Sequence, residues 1–214
     1  MNTFMEEEQP ESLRWRYRLP HWDLGRSGTY FLTLRCAGSL PAEVVQRLAD
    51  LKVRAARLTL KDAEVQQLER LRFLTLDNYL DQHRGFSPFK QRAAAEKLAD
   101  VLKEGCLGWG FPVWVIMPNH IHLLARPAVD AVPLKRFIQR FKGMSARLLN
   151  LSLNRSGRFW QQDTFDRWIR SALHLRRTRN YIRKNPEKAG LGSDYPWVSQ
   201  ETDEAFEKLV RFYR

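Results

Sequence analysis

The chain has 214 residues, which is enough for one well-buried domain or for one domain with an elaboration. A hydrophobic content of 43% with seven tryptophans excludes a disordered chain, and no apolar run is long enough to cross a bilayer. The formal net charge is +12, and residues 131–190 carry all of it, with 15 lysines and arginines against three acidic residues.

That uneven charge indicates a polyanionic partner, most simply nucleic acid. The alternative is a solubilising surface, although such surfaces normally mix charges of both signs. The N-terminus contains Glu6-Glu7-Glu8 and is unlike a signal peptide, so we expect a cytoplasmic protein. Cys36 and Cys106 are too few for a disulfide framework and lack CxxC spacing, so we expect small buried side chains rather than a structural zinc site.

Sequence periodicity predicts alternating strands and helices after a polar segment over 1–20. In chain order we predict a strand over 29–35, a helical elaboration over 41–80, an amphipathic helix ending at Gly105, two strands over 111–116 and 121–126 joined as a hairpin at Pro118-Asn119, a helix over 132–151, an extended segment over 159–169, a basic helix over 174–185 and a C-terminal helical tail over 201–214. This order favours an α+β fold, a ferredoxin-like antiparallel sheet covered by helices, in a single domain over 1–214.

Two histidines lie two residues apart in the apolar run of the hairpin. Because side chains alternate along a strand, His120 and His122 project from one face, roughly 6.6 Å apart along the backbone. Imidazoles at that separation can bind one metal ion. The alternative is a pair of hydrogen-bonded strand histidines with no ligand.

Tyr181 and Asn185 lie four residues apart in the basic helix, so they share one face about 6 Å apart. If this helix crosses the sheet near the histidines, Asn185 adds a third, oxygen ligand. Two nitrogens, one oxygen and open positions suit Mg²⁺ or Mn²⁺ with waters and a phosphate oxygen. Alternatively, Asn185 before Pro186 is an N-cap, and a helix break there is favoured because residues before proline avoid α geometry.

Basic neighbours favour a chemical role for Tyr181 over that of an ordinary half-buried tyrosine. Arg177 and Lys184 flank it on the same helix face, and cations there would favour the phenolate, whose reference pKa is about 10. They would also hold a phosphodiester against it. Attack on a metal-polarised phosphate would give a 5′-phosphotyrosine link and a free 3′-hydroxyl.

Several blocks together resemble the single-tyrosine transposases with a His-hydrophobic-His motif, and most closely the REP-associated tyrosine transposases of bacteria. The matching blocks are Gly28–Arg35, Met117–Leu124, Phe159-Trp160-Gln161, Phe165-Asp166, Tyr181–Leu191 and Tyr195-Pro196-Trp197. The resemblance implies a ferredoxin-like fold and a nucleoid-associated, metal-dependent enzyme that cuts and transfers single-stranded, hairpin-containing DNA. It makes Tyr181 the nucleophile and His120, His122 and Asn185 the metal ligands. Arg167 stands where relatives often carry histidine.

Seven cations are the expected DNA contacts. They are Lys135, Arg136, Arg140, Lys142, Arg177, Arg183 and Lys184. Phe159, Trp160, Phe165 and Trp168 interleave with Arg158, Arg167 and Arg170, as in single-strand grooves, although sheet core is the alternative for at least half of these aromatics. His21, His83 and His174 are expected at the surface.

Two other functions are compatible with these residues. One is a non-catalytic hairpin-DNA binder, which the intact His120, His122 and Tyr181 disfavour. The other is a histidine-pair phosphoesterase acting on small nucleotides, a chemistry that usually needs two His-x-His blocks where this chain has one. Both a monomer and a homodimer fit the sequence.

Overall fold

A computed structural model describes residues 28–58 and 63–213, so the polar segment over 1–20 and His21 lie outside the described residues. The strands there are β1 (Tyr30–Arg35), β2 (Trp109–Met117), β3 (His120–Pro127) and β4 (Phe165–Trp168). The helices are α1 (Ala42–Ala56), α2 (Ala63–Leu80), α3 (Arg92–Glu104), α4 (Leu134–Ser152), α5 (Ala172–Lys188) and α6 (Asp203–Val210). Short 3-10 helices cover Pro88–Lys90 and Arg211–Tyr213.

The four strands form one antiparallel sheet in the order β2-β3-β1-β4. The predicted ferredoxin-like α+β fold is confirmed, because this order and the alternation of strands and helices are those of a split βαβ arrangement. β2 and β3 form the predicted hairpin at Pro118-Asn119. Antiparallel pairing places Thr33 of β1 opposite His122 of β3.

β4 is much shorter than the extended segment predicted over 159–169. The ammonium of Lys142 donates hydrogen bonds to the carbonyl oxygens of Gln161, Gln162 and Asp163, at 2.7, 3.1 and 3.2 Å. Successive carbonyls in a strand point in alternate directions, so three that meet at one ammonium cannot form a regular ladder. The strand therefore begins only at Phe165.

Each face of the sheet packs against its own set of helices. On one face, Leu32 of β1 packs in a buried cluster with Leu98 of α3 and Phe137 of α4. On the other face, the side chains of Phe31 and Leu124 pack with α1, α2, α5 and α6. The two predicted catalytic histidines project from this second face, because Leu124, His122 and His120 alternate with the buried residues of the first face.

The helical elaboration predicted over 41–80 consists of α1 and α2. α1 buries Val44, Leu48 and Leu51 at the expected helical spacing. α2 contributes Leu76 and Leu80 to the core of the histidine-bearing face. The helical hairpin is thus part of the packed layer that covers the candidate site.

The structure describes both cysteines, which were expected to be small buried side chains. Cys36 is buried, Cys106 is half-buried, and both are free thiols. Burial raises the pKa of the Cys106 thiol to about 11.

Among the described helices, none has the length and apolar character required to span a membrane.

Candidate active site

The two histidines of β3 face each other on the covered side of the sheet. Both His120 and His122 are 0% exposed, and their Nε2 atoms lie 3.1 Å apart. Two ligands about 2.1 Å from one ion lie about 3.0 Å apart at a right angle and about 3.4 Å apart at the tetrahedral angle. The observed separation lies between these values, so one ion could accept both nitrogens.

The other ring nitrogen of each histidine is fixed by a hydrogen bond. Nδ1 of His120 lies 2.7 Å from Oδ1 of Asn119, and Nδ1 of His122 lies 2.8 Å from Oγ1 of Thr33. An amide oxygen can only accept, so Nδ1 of His120 carries the proton and its Nε2 keeps a lone pair. Burial lowers the pKa of His120, which favours the neutral ring. Metal-binding histidines are held in the same way by their outer hydrogen bonds.

Tyr181 of α5 reaches the histidine pair. Its hydroxyl lies 3.2 Å from Nε2 of His122 and donates a hydrogen bond to Oδ1 of Asp77. Its ring packs edge-on against Phe31 and Phe73, with ring centroids 5.7 Å apart in each case. The phenol is therefore held beside the imidazoles by both its hydroxyl and its ring.

The expectation that Arg177 and Lys184 favour the phenolate is wrong for this arrangement. Burial raises the pKa of Tyr181 well above its usual value, and the negative charge and hydrogen bond of Asp77 raise it further. The Asn185 side chain is near enough to the phenol to oppose this rise, although its amide atoms form no hydrogen bond of normal geometry with the described residues. Arg177 and Lys184 are exposed on α5 and do not reverse the rise in the pKa of Tyr181. Tyr181 is thus a neutral phenol here.

Asp77 of α2 is a site residue that the sequence analysis missed. It is 1% exposed, and its Oδ1 lies 3.5 Å from Nε2 of His122 while its Oδ2 binds the ammonium of Lys188. That ammonium also lies 2.9 Å from Oδ2 of Asp81. Burial alone would raise the pKa of Asp77, but hydrogen bonds from His122, Lys188 and Tyr181 hold it below its usual range. The signal available in the sequence was an acid between Leu76 and Leu80, two apolar residues at helical spacing.

Asn185 does not begin a helix, so the N-cap interpretation is wrong. α5 begins after Ser171, whose side chain accepts from the backbone N–H of His174, and it continues through Pro186 to Lys188. Asn185 is 1% exposed, and its amide nitrogen and oxygen have no hydrogen-bond partner among the described residues. A buried amide with no partner costs stability, which suggests that it serves a ligand.

The donor atoms of His120, His122 and Asn185 can be compared with those that a divalent ion prefers. Within 28–58 and 63–213, no three His, Cys, Asp or Glu side chains form a cluster that could hold a metal ion. The histidine pair therefore needs a donor outside that set, and the unpartnered amide of Asn185 is such a donor. Two nitrogens and one amide oxygen fit a hard divalent ion such as Mg²⁺ or Mn²⁺.

Part of the chain matches a known protein family. Residues 86–185 match the family of IS200-like transposases. The predicted resemblance to transposases is confirmed. The matched segment contains His120, His122, Tyr181 and Asn185, whereas Asp77 lies outside it.

The chain is also similar to a solved structure of a REP-associated tyrosine transposase bound to a REP hairpin. The identity is 17% and the TM-score is 0.44, over 95% of this chain and 88% of that one. No curated protein matches the chain.

Five of the seven predicted DNA contacts fall into two exposed groups. Lys135, Arg136 and Arg140 lie on the outer side of α4, across the sheet from the histidines. Arg177 and Lys184 are exposed on α5.

The two other predicted contacts already have partners. Arg183 forms an ion pair with Glu201 at 3.1 Å. The prediction that Lys142 contacts DNA is corrected. Its ammonium already donates to the three carbonyls before β4, so it is not free to bind phosphate.

Most of the predicted aromatic platform belongs to the core. Phe159, Trp160 and Phe165 are buried, and Trp168 is half-buried with the guanidinium of Arg170 5.9 Å from its ring. The alternative of sheet core is thus confirmed for three of the four aromatics. His83 and His174, expected at the surface, are both half-buried.

Proposed function

We propose that the chain is a metal-dependent single-stranded DNA endonuclease and strand transferase that acts on hairpin-containing, REP-like DNA. The observation that carries this proposal is the meeting of three groups at one buried point. The hydroxyl of Tyr181 lies 3.2 Å from Nε2 of His122, which lies 3.1 Å from Nε2 of His120. A nucleophile beside two convergent metal-type ligands supports phosphoryl transfer.

Tyr181 would be the nucleophile of this reaction. Its oxygen attacks the phosphorus, a bond forms between them, and the bond from phosphorus to the 3′-oxygen breaks. The phenol loses its proton and the departing 3′-oxygen gains one, so the products are a 5′-phosphotyrosine link and a 3′-hydroxyl. The link preserves the phosphodiester energy, so a second 3′-hydroxyl can displace the tyrosine and rejoin the strand.

The other residues would position the reacting groups. Asn119 and Thr33 orient the imidazoles, and the rings of Phe31 and Phe73 fix the direction of the phenol. His120, His122 and Asn185 would hold Mg²⁺ or Mn²⁺, which when bound supplies positive charge that polarises the phosphate and favours the phenolate. The neutral phenol of the described arrangement is therefore a resting state.

The exposed cations support binding of an extended DNA. Arg177 and Lys184 lie on the helix that carries Tyr181, whereas Lys135, Arg136 and Arg140 lie across the sheet. A single-stranded flank at Tyr181 and a hairpin stem on α4 would use both groups. Neutral salt should weaken both sets of phosphate contacts.

The test is incubation of the full chain with single-stranded hairpin DNA and Mn²⁺, followed by denaturing gels. Cleavage with a protein–DNA adduct is expected, and Tyr181→Phe should abolish both while hairpin binding persists. Binding without cleavage in the unaltered chain would replace the proposal with a non-catalytic hairpin-DNA binder. Cleavage without an adduct would indicate a hydrolytic nuclease.

A further inference from the structure

We propose, building on the proposed function above, that Arg35 of β1 and Arg72 of α2 form a binding site for a backbone phosphate of the DNA strand, beside the histidine pair. Arg35 ends β1 and shares a strand face with Thr33, whose hydroxyl contacts His122. The antiparallel register places Arg35 directly opposite His120. Residues opposite each other in such a pair have Cβ atoms about 5 Å apart, so Arg35 borders the proposed reaction centre.

Arg72 reaches the same region from the helix that covers this face of the sheet. It lies one turn before Leu76, which packs in the core of the histidine-bearing face. Burial is the main cause that lowers the pKa of Arg35 to about 10, and the nearby charge of Arg72 also lowers it. Two like charges in a buried layer repel each other, so an anion between them would stabilise both.

The protein satisfies these two guanidiniums only in part. Nη1 of Arg72 is buried and has no hydrogen-bond partner among the described residues, and the oxygen of Glu69 lies 3.6 Å away, beyond hydrogen-bond distance. Asp163 offsets the lowered pKa of Arg35 only partly, and its carboxylate also pairs with Lys52 at 3.8 Å. A buried cation whose N–H groups lack acceptors costs stability, so an acceptor supplied by a ligand would stabilise this pair.

The chemistry of the pair favours a phosphate. The planar fork of a guanidinium donates two parallel N–H bonds to phosphate oxygens, and a tetrahedral anion between two arginines can accept from both. Four cations and three acids form this cluster, an excess of one positive charge when all are ionised, and they are Arg35, Arg72, Lys52 and Arg167 with Glu69, Asp163 and Asp166. Burial raises the pKa of Glu69, which disfavours its negative form. The cluster can therefore accept the single negative charge of a phosphodiester.

The arginine pair is open to solvent where the histidine pair is closed. Arg35 is 7% exposed and Arg72 is 8% exposed, whereas His120 and His122 are fully buried. An incoming strand would meet the arginines before it reaches the histidines. A phosphate held between β1 and α2 would then fix the position of the next phosphate, at Tyr181.

The test replaces single phosphates along the single-stranded flank of the hairpin DNA by uncharged methylphosphonates and measures the affinity for each DNA. It uses the full chain with Tyr181→Phe, in Mn²⁺, so that the strand stays intact. At one position the replacement should weaken binding by about tenfold or more, as loss of hydrogen bonds between charged groups does. With Arg35→Met or Arg72→Met added, the same replacement should weaken binding by less than about twofold, because the contact is already absent.

Arg126→Met is the matched control for the loss of a partly covered arginine on the same sheet. Arg126 lies at the other end of β3 from His120, with its guanidinium 3.8 Å from the ring centroid of Phe212. This variant should keep the full tenfold effect of the methylphosphonate. A full effect in both the Arg35 and the Arg72 variants as well would overturn the proposal.

A second variant keeps the test decisive if the methionine variants are unstable. Arg35→Lys preserves the charge but presents no fork, so the methylphosphonate should weaken binding less than it does with the unaltered arginine. An equal loss of affinity in this variant would overturn the phosphate contact of Arg35. Melting temperatures without DNA test a purely structural role, because removal of a buried, partly unpaired guanidinium should leave Tm unchanged or higher. A clear fall in Tm with an unchanged methylphosphonate effect would assign both arginines to the packing of α2.

The same assays separate this inference from the proposed function. If the unaltered chain does not bind hairpin DNA, the proposed function fails and the phosphate site fails with it. If the unaltered chain forms the DNA adduct while the arginine variants show the full methylphosphonate effect, only the phosphate site is overturned.

Discussion

Tyr181 and Asn185 lie one turn apart on α5, yet the polar group of Tyr181 has hydrogen-bond partners and that of Asn185 has none within the described part of the chain. The Tyr181 hydroxyl contacts Asp77 and His122, whereas the buried amide of Asn185 has no hydrogen-bond partner among the described residues. An amide left in this state destabilises a protein by about 1–3 kcal/mol. The amide oxygen would gain a partner if it bound a divalent ion, which agrees with the proposed ligand role of Asn185.

The first prediction is that Asn185→Ala separates stability from metal binding. In EDTA the free energy of unfolding should fall by less than about 1 kcal/mol, because no hydrogen bond is lost and an unpaired amide is removed. The Mn²⁺ concentration needed for half-maximal cleavage should rise, and excess Mn²⁺ should restore part of the activity. Unfolding curves in EDTA and cleavage titrations measure the two effects.

Asn185→Asp is the control for that experiment. It keeps an oxygen donor at the same position and adds charge, so it should retain metal-dependent cleavage with a shifted metal optimum. An unchanged metal requirement in both the Ala and the Asp variants would remove Asn185 from the ligand set.

The second prediction concerns the nucleophile. Tyr181→Phe should eliminate the covalent adduct, because it removes the only atom that forms the new bond. It also removes a hydrogen bond to the ionised Asp77, so the free energy of unfolding should fall by about 1–2 kcal/mol. Denaturing gels and chemical unfolding measure the two results.

Tyr195→Phe is the matched control for the loss of a tyrosine hydroxyl. The Tyr195 hydroxyl donates to the backbone oxygen of Ile116 at 2.8 Å, a hydrogen bond that involves neither the histidine pair nor Asp77. It should lose stability to a similar or smaller degree and still form the adduct. An adduct in the Tyr181 variant would assign the nucleophile to another residue.

Local periodicity was sufficient to predict which side chains share a face. Alternation along β3 put His120 and His122 together, and helical spacing put Tyr181 and Asn185 together. Asp77 was missed because its contact with Tyr181 joins residues 104 apart, and it depends on where α2 packs. Burial is the main cause of the raised pKa of Tyr181, and the same contact raises it further, because the neighbouring charge is an acid from a distant helix rather than a cation on α5.

The bounds of α5 show a local preference overridden by packing. Residues before proline avoid helical geometry, and Pro186 cannot donate to the carbonyl one turn earlier. Asn185 and Pro186 are nevertheless both buried within α5. Burial of the helix face against the sheet thus outweighs the lost hydrogen bond, a balance that the local sequence does not contain.

The third prediction concerns the metal requirement. EDTA should abolish cleavage, and His120→Ala should do the same while leaving hairpin binding within about threefold, because His120 is fully buried and the phosphate contacts lie on exposed cations. Gel-shift titrations and cleavage assays on the same DNA measure the two effects. Full cleavage in EDTA would contradict a metal mechanism.

The last prediction assigns the DNA-binding surface. Lys135, Arg136 and Arg140 are exposed on α4, and their joint replacement by glutamine should reduce the slope of log affinity against log salt by up to about 2.7 if all three neutralise phosphates of a duplex stem. Lys142→Met is the matched control on the same helix. Its ammonium bonds to carbonyls before β4, so its loss should lower the melting temperature and leave the salt slope unchanged. A reduced slope in the Lys142 variant, with none in the triple variant, would move the binding surface away from the exposed side of α4 and toward the segment before β4.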